Sequence, residues 1–229
     1  MKNKFTFYIL LLLGFFLNAQ NLKSPDNNLD LNFSIDEKGR AFYSLNFHDK
    51  PVILNSGLGF MLKDNVEWMK IDTLDMMNNF KILNVTFDSV DEYWNPVWGE
   101  ESEIRNNYNE MFVELQQIES ERKVNIRFRL FDDSLGFRYE FPLQEKLGSF
   151  IIIDEKTEFA MAGDHTAMWI PGDYDTQEYN YTTSKLSEIE QKSIEFREEN
   201  VSMYRFSNWA VQTALMMKSQ NGLYINIHE

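Results

Sequence analysis

Apolar and polar residues alternate along most of this chain, and this pattern constrains its fold more than any other feature. Segment 29–35 reads LDLNFSI, with four apolar residues spaced two apart: Leu29, Leu31, Phe33 and Ile35. Side chains two residues apart lie on the same face of a β-strand, so one face is predicted to be buried. The segments KVNIRFRL (123–130) and LGFRYEF (135–141) repeat the pattern around the turn sequence FDDS. Residues 123–141 are therefore predicted to form a hairpin.

Turn signals and further alternating segments extend the β prediction over the rest of the chain. DEKGR (36–40) is predicted to turn through Gly39, which tolerates a positive φ, and AFYSLNF then returns as a second strand. Further strands are predicted at 51–54, 58–62, 80–87, 110–118, 150–153, 211–217 and 223–227. Residues 184–196 have a loosely helical spacing and fit a solvated loop equally well. The predicted fold class is all-β and mostly antiparallel, a large two-sheet sandwich with less than about a fifth helix.

The first twenty residues differ from the rest and are predicted to be a secretory signal peptide. A basic start, MKNK, precedes the apolar run FTFYILLLLGFFL and the polar residues NAQ. This order is typical of a signal peptide, and the run is shorter than the roughly 20 apolar residues of a membrane span. The alternative is an uncleaved anchor. We expect cleavage near residue 20, one mature domain over 21–229 with no membrane span, and export to the periplasm.

Charge and cysteine content exclude several classes of function. Residues 1–20 contain two lysines and no acid, so removing them from the 22 basic and 36 acidic residues leaves 20 and 36, a net charge of −16. Such an acidic chain repels phosphate backbones, and nucleic acid is not an expected partner. The chain has no cysteine, so it can form neither a disulfide nor a thiolate metal site, and a lipid cannot be attached to a cysteine after the signal.

Short catalytic and metal-binding motifs are missing from the sequence. Its three histidines, His48, His165 and His228, do not have the spacing of a zinc site. DYDTQE (173–178) superficially resembles the start of a calcium loop but lacks the glycine and the final acid of an EF-hand. The 36 acids offer many carboxylate pairs for sugar hydrolysis, so no single pair is informative without geometry. No catalytic residue is predicted in this chain.

Aromatic and charged residues cluster in four segments: YWNPVWGE (93–100), IRNNYNEM (104–111), FRLFDDSLGFRYEFP (128–142) and MWIPGDYDTQEYNY (168–181). Two interpretations apply to Trp94, Trp98 and Trp169. The first is packing in the core or at sheet edges, since tryptophan buries a large area and needs one hydrogen-bond acceptor. The second is a surface for sugar or for another domain. Spacing alone favours packing.

Five ordered blocks that cover essentially the whole mature chain resemble one known family. They are SPDNNL with a following Phe, YWNPVWGEESEIRNNYNE, IRFRLFDDSLGFRYEFP, GDHTAMWIPGDYDTQEYNYTTSKLSEI and TALMMKSQNGLYINIHE. Together they are similar to the N-terminal domain of glycoside hydrolase family 97, especially to its alpha-glucosidases from bacterial starch utilisation systems. The resemblance implies an N-terminal β-super-sandwich, a catalytic (β/α)8 barrel that supplies the acid and base, and a small C-terminal β domain.

The same resemblance implies one site residue. In this family the N-terminal domain contributes a glutamate to a calcium ion in the active site, from the block that here reads DYDTQEYNY. Carried over, the calcium ligand is Glu178, and the other ligands belong to a barrel outside these 229 residues. The alternative for Glu178 is a solvated loop acid, and Asp173 and Asp175 are predicted to shape the loop. The groups that decide between inverting and retaining chemistry also lie outside this chain.

Two functions of different class remain open at this stage. The first is the N-terminal part of an exported calcium-dependent alpha-glucosidase that hydrolyses maltooligosaccharides. The second is a stand-alone carbohydrate-binding or interaction module without catalysis. The strand predicted in NGLYINIHE continues almost to Glu229, which favours a longer protein because an independent module needs a protected edge.

Overall fold

The computed structural model describes residues 19–64, 73–195 and 207–228. The chain separates into two compact units, Met1–Ala160 and Met161–Glu229. In the described ranges the strands are β1 (Gln20–Lys23), β2 (Leu29–Ile35), β3 (Ala41–Phe47), β4 (Lys50–Leu58), β5 (Phe60–Asp64), β6 (Thr73–Met76), β7 (Phe80–Trp94), β8 (Ile104–Gln117), β9 (Lys123–Leu130), β10 (Leu135–Glu140), β11 (Phe150–Glu155), β12 (Thr166–Trp169), β13 (Thr182–Lys185), β14 (Leu215–Lys218) and β15 (Tyr224–Ile227). A 3-10 helix (Leu186–Glu188) and α1 (Ile189–Glu195) are the helical elements there. The prediction of a mostly antiparallel β fold with little helix is confirmed.

Two antiparallel four-stranded sheets, in the orders β1-β2-β3-β4 and β10-β9-β8-β7, pack against each other in the first unit. Their apolar faces are those that the alternation predicts, since Leu31, Phe33 and Phe128 are all fully buried. The rings of Phe33 in β2 and Phe128 in β9 lie 5.8 Å apart, and those of Tyr43 and Phe137 lie 5.4 Å apart. Aromatic contacts therefore join the two layers of the predicted sandwich.

A third sheet, β11-β5-β6, extends this sandwich beyond the two sheets that the sequence predicts. β5 begins at Phe60, and a single residue separates it from the end of β4 at Leu58. The intervening Gly59 allows this close passage, because a Cβ there would lie 2.9 Å from the Met76 carbonyl oxygen. Phe60 packs against Tyr139 of β10, with ring centroids 4.3 Å apart. The third sheet thus shares the aromatic core of the first two.

The β7–β8 hairpin is much longer than the predicted strands 80–87 and 110–118. Its register runs from Phe80 opposite Gln117 to Trp94 opposite Ile104. The outer half mixes polar and aromatic residues without clear alternation, so the sequence pattern did not reveal it. Backbone pairing and cross-strand side-chain contacts continue nonetheless, as in the bidentate ion pair of Arg105 with Asp91 at 2.7 and 2.8 Å.

The second unit contains its own sheet, β13-β12-β14-β15, and a small core. Trp169, Ala167 and Met217 are fully buried, and Ile189 of α1 packs with them. Segment 184–196, which fitted a helix or a loop, contains the 3-10 helix and α1 up to Glu195. The strand predicted at 211–217 begins later than expected, because β14 spans Leu215–Lys218. Val211 forms an isolated bridge with Pro171.

Two predictions about the chain ends are not tested by the structure. Residues 1–18, which contain most of the predicted signal peptide, lie outside the described residues. The single mature domain over 21–229 also stays a prediction. Across the described residues, the helices are too short and too polar to cross a bilayer.

Gly39 allows the predicted turn to pack against the start of β7, and Gly39→Ala is expected to destabilise the first unit by about 2–4 kcal/mol. Its φ is +68°, and a Cβ there would lie 2.4 Å from the Phe80 backbone nitrogen. Gly136→Ala is the matched control, because nothing lies within 4 Å of a Cβ at Gly136. Urea unfolding should separate the two variants clearly. Equal midpoints would show that this turn can shift freely.

Candidate functional site

The predicted calcium ligand lies in the loop 170–181, which connects β12 to β13. The two strands pair from Thr166 opposite Lys185 to Trp169 opposite Thr182. Fully buried Trp169 donates a hydrogen bond from Nε1 to Ser184 Oγ at 3.0 Å. The loop is therefore held at both ends by a paired strand with a buried tryptophan at its base.

Asp173 organises this loop through both oxygens of its carboxylate. Oδ1 accepts hydrogen bonds from the backbone N–H groups of Asp175 at 2.8 Å and Thr176 at 3.3 Å. Oδ2 accepts a hydrogen bond from the Tyr179 hydroxyl at 2.6 Å. The Asp173 carbonyl oxygen also accepts a hydrogen bond from Gln212 Nε2 at 2.8 Å. The prediction that Asp173 shapes the loop is confirmed, and Asp175 joins the same turn through its backbone.

Glu178 is exposed on this organised loop. Its backbone N–H donates to Thr176 Oγ1 at 3.0 Å, and the next residue, Tyr179, is buried with only 5% of its surface exposed. Within the described ranges, the Glu178 carboxylate forms no hydrogen bond or ion pair. Anchors on both sides thus present an accessible carboxylate whose oxygens remain available to a ligand.

The other end of β12 is fixed by a second carboxylate. Asp164 Oδ1 accepts from the Ser187 backbone N–H at 3.0 Å, and Oδ2 accepts from the Ser187 hydroxyl at 2.9 Å. These bonds lower the pKa of Asp164 from its usual value, because they stabilise the ionised form. The Asp164 carboxylate thus accepts hydrogen bonds within the fold, whereas the Glu178 carboxylate accepts none from the described residues.

A complete calcium site requires several acidic side chains that lie close together in the structure. Calcium takes six to eight oxygen ligands, often from carboxylates. Among the described residues, no three His, Asp or Glu side chains are placed to hold one ion together. Glu178 is an exposed anionic oxygen donor, so it fits the role of one ligand and not of a whole site. Calcium binding by Glu178 stays a prediction.

The aromatic clusters divide between packing and exposure. The packing interpretation is confirmed for Trp169, which is fully buried. It is wrong for Trp98 within this chain, because 88% of Trp98 is exposed, and Trp94 is half exposed at 49%. Both lie at the tip of the β7–β8 hairpin. Proline, glycine and three glutamates within 95–103 signal an exposed turn, and this composition could have distinguished Trp98 from Trp169.

Asp173→Ala is expected to destabilise the second unit by about 1–3 kcal/mol, because it leaves the buried Tyr179 hydroxyl without this acceptor. Hydrogen exchange of the amides of Asp175 and Thr176 should become faster, since they lose the Asp173 carboxylate. Tyr181→Phe serves as the control, because Tyr181 is 70% exposed. Unchanged exchange at both amides would contradict the organising role of Asp173.

Comparison with known proteins identifies relatives over most of the chain. The model of the family described as "Glycosyl-hydrolase 97 N-terminal" matches residues 22–229. A glycoside hydrolase family 97 enzyme from Pseudoalteromonas sp. strain K8 is similar in structure. In its complex with acarbose it is 32% identical, with a TM-score of 0.74, and the match covers 91% of this chain and 28% of that chain. In its complex with panose it is 31% identical, with a TM-score of 0.73 and the same coverage.

One curated relative is described by its activity. It is the retaining alpha-galactosidase of Bacteroides thetaiotaomicron, which is 26% identical over 209 residues, or 84% of this chain and 29% of that protein. The chain therefore spans less than a third of the length of these relatives.

Proposed function

The chain belongs to the N-terminal domain family of glycoside hydrolase family 97, and from this membership we propose that it serves an exported, calcium-dependent alpha-glucosidase. In this proposal the chain supplies one calcium ligand and a docking surface to a catalytic barrel. The barrel supplies the acid and base that cleave the glycosidic bond. The observation that carries the proposal is the family match over 22–229 together with the exposed carboxylate of Glu178.

The proposed substrates are maltooligosaccharides or related alpha-glucosides. Panose, an oligosaccharide of α-linked glucose, and acarbose are the ligands named for the Pseudoalteromonas enzyme, which is 31–32% identical to this chain. The alpha-galactosidase is 26% identical. The higher identity favours a glucoside, while the alpha-galactosidase makes an alpha-galactoside the second candidate.

Glu178 would bind calcium at the boundary with the barrel. A bound calcium ion would supply positive charge that orients and polarises groups near the scissile bond. The role of this chain is to hold the backbone at Glu178 in place through the Thr176 hydroxyl and through the anchored Tyr179. Because Asp173 fixes Tyr179, the loop backbone at Glu178 is ordered before calcium arrives, which reduces the entropy lost on binding.

The test is to assay the intact polypeptide that carries this chain. Purified protein is incubated with 4-nitrophenyl α-glucoside or 4-nitrophenyl α-galactoside, each with calcium or with a chelator. We expect calcium-dependent turnover of the glucoside that exceeds turnover of the galactoside. The 229-residue chain alone is expected to be inactive on both, since the acid and base are proposed to lie in the barrel.

Other results would each change a different part of this proposal. Faster turnover of the galactoside would establish the second candidate. Full activity in the presence of the chelator would show that hydrolysis does not require calcium. An intact protein that binds maltooligosaccharides and cleaves neither substrate would support the stand-alone binding module instead.

A further inference from the structure

We propose that the tip of the β7–β8 hairpin is a docking surface for the catalytic domain of the same polypeptide. The hairpin tip is defined here as residues 93–104, and it carries five large, exposed hydrophobic side chains: Tyr93, Trp94, Val97, Trp98 and Ile104. This inference rests on the proposed function, because the proposed enzyme has a catalytic domain and the inference names the surface of this chain that contacts it.

The first support is the exposure of these side chains. Val97 is fully exposed, Trp98 is 88% exposed and Tyr93 is 60% exposed. Trp94 and Ile104 close the hairpin opposite each other, with 49% and 36% of their surfaces exposed. Several large apolar side chains exposed together are typical of an interaction surface. Tryptophan and tyrosine are also the residues that most often dominate binding energy at protein interfaces.

The second support is that the hairpin tip is held by polar contacts at its base. Arg105 makes two hydrogen bonds to Asp91 across the strands, at 2.7 and 2.8 Å, and the Arg105 guanidinium lowers the pKa of Asp91 from its usual value. Within the tip, Asn95 Nδ2 donates to the Ser102 carbonyl oxygen at 2.7 Å. These contacts present the aromatic residues on an ordered support, which lowers the entropy lost on docking.

Charge indicates the chemistry of the partner. Segment 91–105 contains five acids (Asp91, Glu92, Glu100, Glu101 and Glu103) and one basic residue, Arg105, a net charge of −4. Asp91 is paired with Arg105, but the three glutamates of the tip form no ion pair with the described residues. The surface of the partner that contacts the tip is therefore apolar at its centre and carries lysine or arginine at its rim.

The catalytic domain fits this surface better than a free sugar does. A small-molecule site encloses most of its ligand in a cleft, whereas Val97 and Trp98 are almost fully exposed. A large partner can instead cover such exposed side chains. The matches to the relatives cover only 28–29% of their lengths, so most of each relative lies beyond the matched part and can supply that partner.

Hydrogen exchange measured by mass spectrometry tests the proposal. The amides of 93–104 are compared in the 229-residue chain and in the intact polypeptide, without ligand. We expect exchange in the intact polypeptide to be at least about tenfold slower, because docking covers the tip; this factor corresponds to about 1.4 kcal/mol. In the intact polypeptide, Trp94→Ala/Trp98→Ala should restore fast exchange. Trp209→Ala, at a residue that is 67% exposed, should leave exchange in 93–104 unchanged.

Other outcomes overturn the proposal. Equal exchange in the two proteins would show that the tip stays exposed. Slower exchange only after maltooligosaccharide is added would assign the tip to carbohydrate. Protection of the 229-residue chain that grows with its concentration would assign the tip to a second copy. Turnover of 4-nitrophenyl α-glucoside is measured on the same samples. A protected tip in an inactive protein would retain the docking surface and refute the proposed activity.

Discussion

Glu178→Gln in the intact polypeptide is expected to weaken calcium binding by about a hundredfold. Loss of a residue that merely supports a metal ligand already costs about 10–100-fold in affinity, and Glu178 is proposed to bind the ion directly. Glutamine keeps the size of the side chain and removes the charge, so the loop held by Asp173 and Tyr179 should stay folded. Hydrolysis should fall at low calcium and recover in part as the calcium concentration rises.

Calorimetric calcium titration of the intact polypeptide measures this effect without relying on activity. Asp175→Asn is the matched control, because Asp175 is also an exposed acid of the same loop and joins the turn through its backbone N–H. Its calcium affinity should equal that of the parent protein. If Glu178→Gln and Asp175→Asn gave the same titration as the parent, Glu178 would be a solvated loop acid. If Asp175→Asn alone weakened binding, the ligand would be Asp175.

Phe128→Ala is expected to destabilise the first unit by about 3–5 kcal/mol, the usual cost of truncating a buried phenylalanine. Phe128 is fully buried, and its ring lies 5.8 Å from Phe33 and 5.7 Å from Phe137. Truncation leaves a cavity between the two facing sheets. Phe33 belongs to the facing sheet and Phe137 to the neighbouring strand β10 of the same sheet, so these rings cannot close the cavity without moving a strand.

Urea unfolding of Phe128→Ala, Phe128→Leu and Phe87→Ala measures the cost. Phe87→Ala is the matched control, since Phe87 is 53% exposed on β7 and should change stability by no more than about 0.5 kcal/mol. Phe128→Leu keeps most of the volume and should lose less than Phe128→Ala. Equal midpoints for Phe87→Ala and Phe128→Ala would refute the aromatic contact between the sheets as a main source of stability.

Local chemistry in the sequence determined much of the fold class. Period-two alternation placed β2, β3, β9 and β10 close to their observed bounds, because each strand has one face in water and one in the core. Gly39 was predicted to turn the chain, and its φ is +68°. The family followed from five ordered blocks and agrees with the matched family model. These properties depend on neighbouring residues or on long motifs, so the sequence alone contains them.

The length of β7, the third sheet and the environment of each tryptophan were decided only by the tertiary structure. The outer half of the β7–β8 hairpin follows from backbone pairing between β7 and β8, which a sequence without regular alternation does not reveal. Trp169 and Trp98 are the same residue type in similarly aromatic segments, yet one is fully buried and the other is 88% exposed. Burial depends on which distant strands cover a side chain. Likewise, only the folded loop shows that Asp173 is engaged by its neighbours while the Glu178 carboxylate is not.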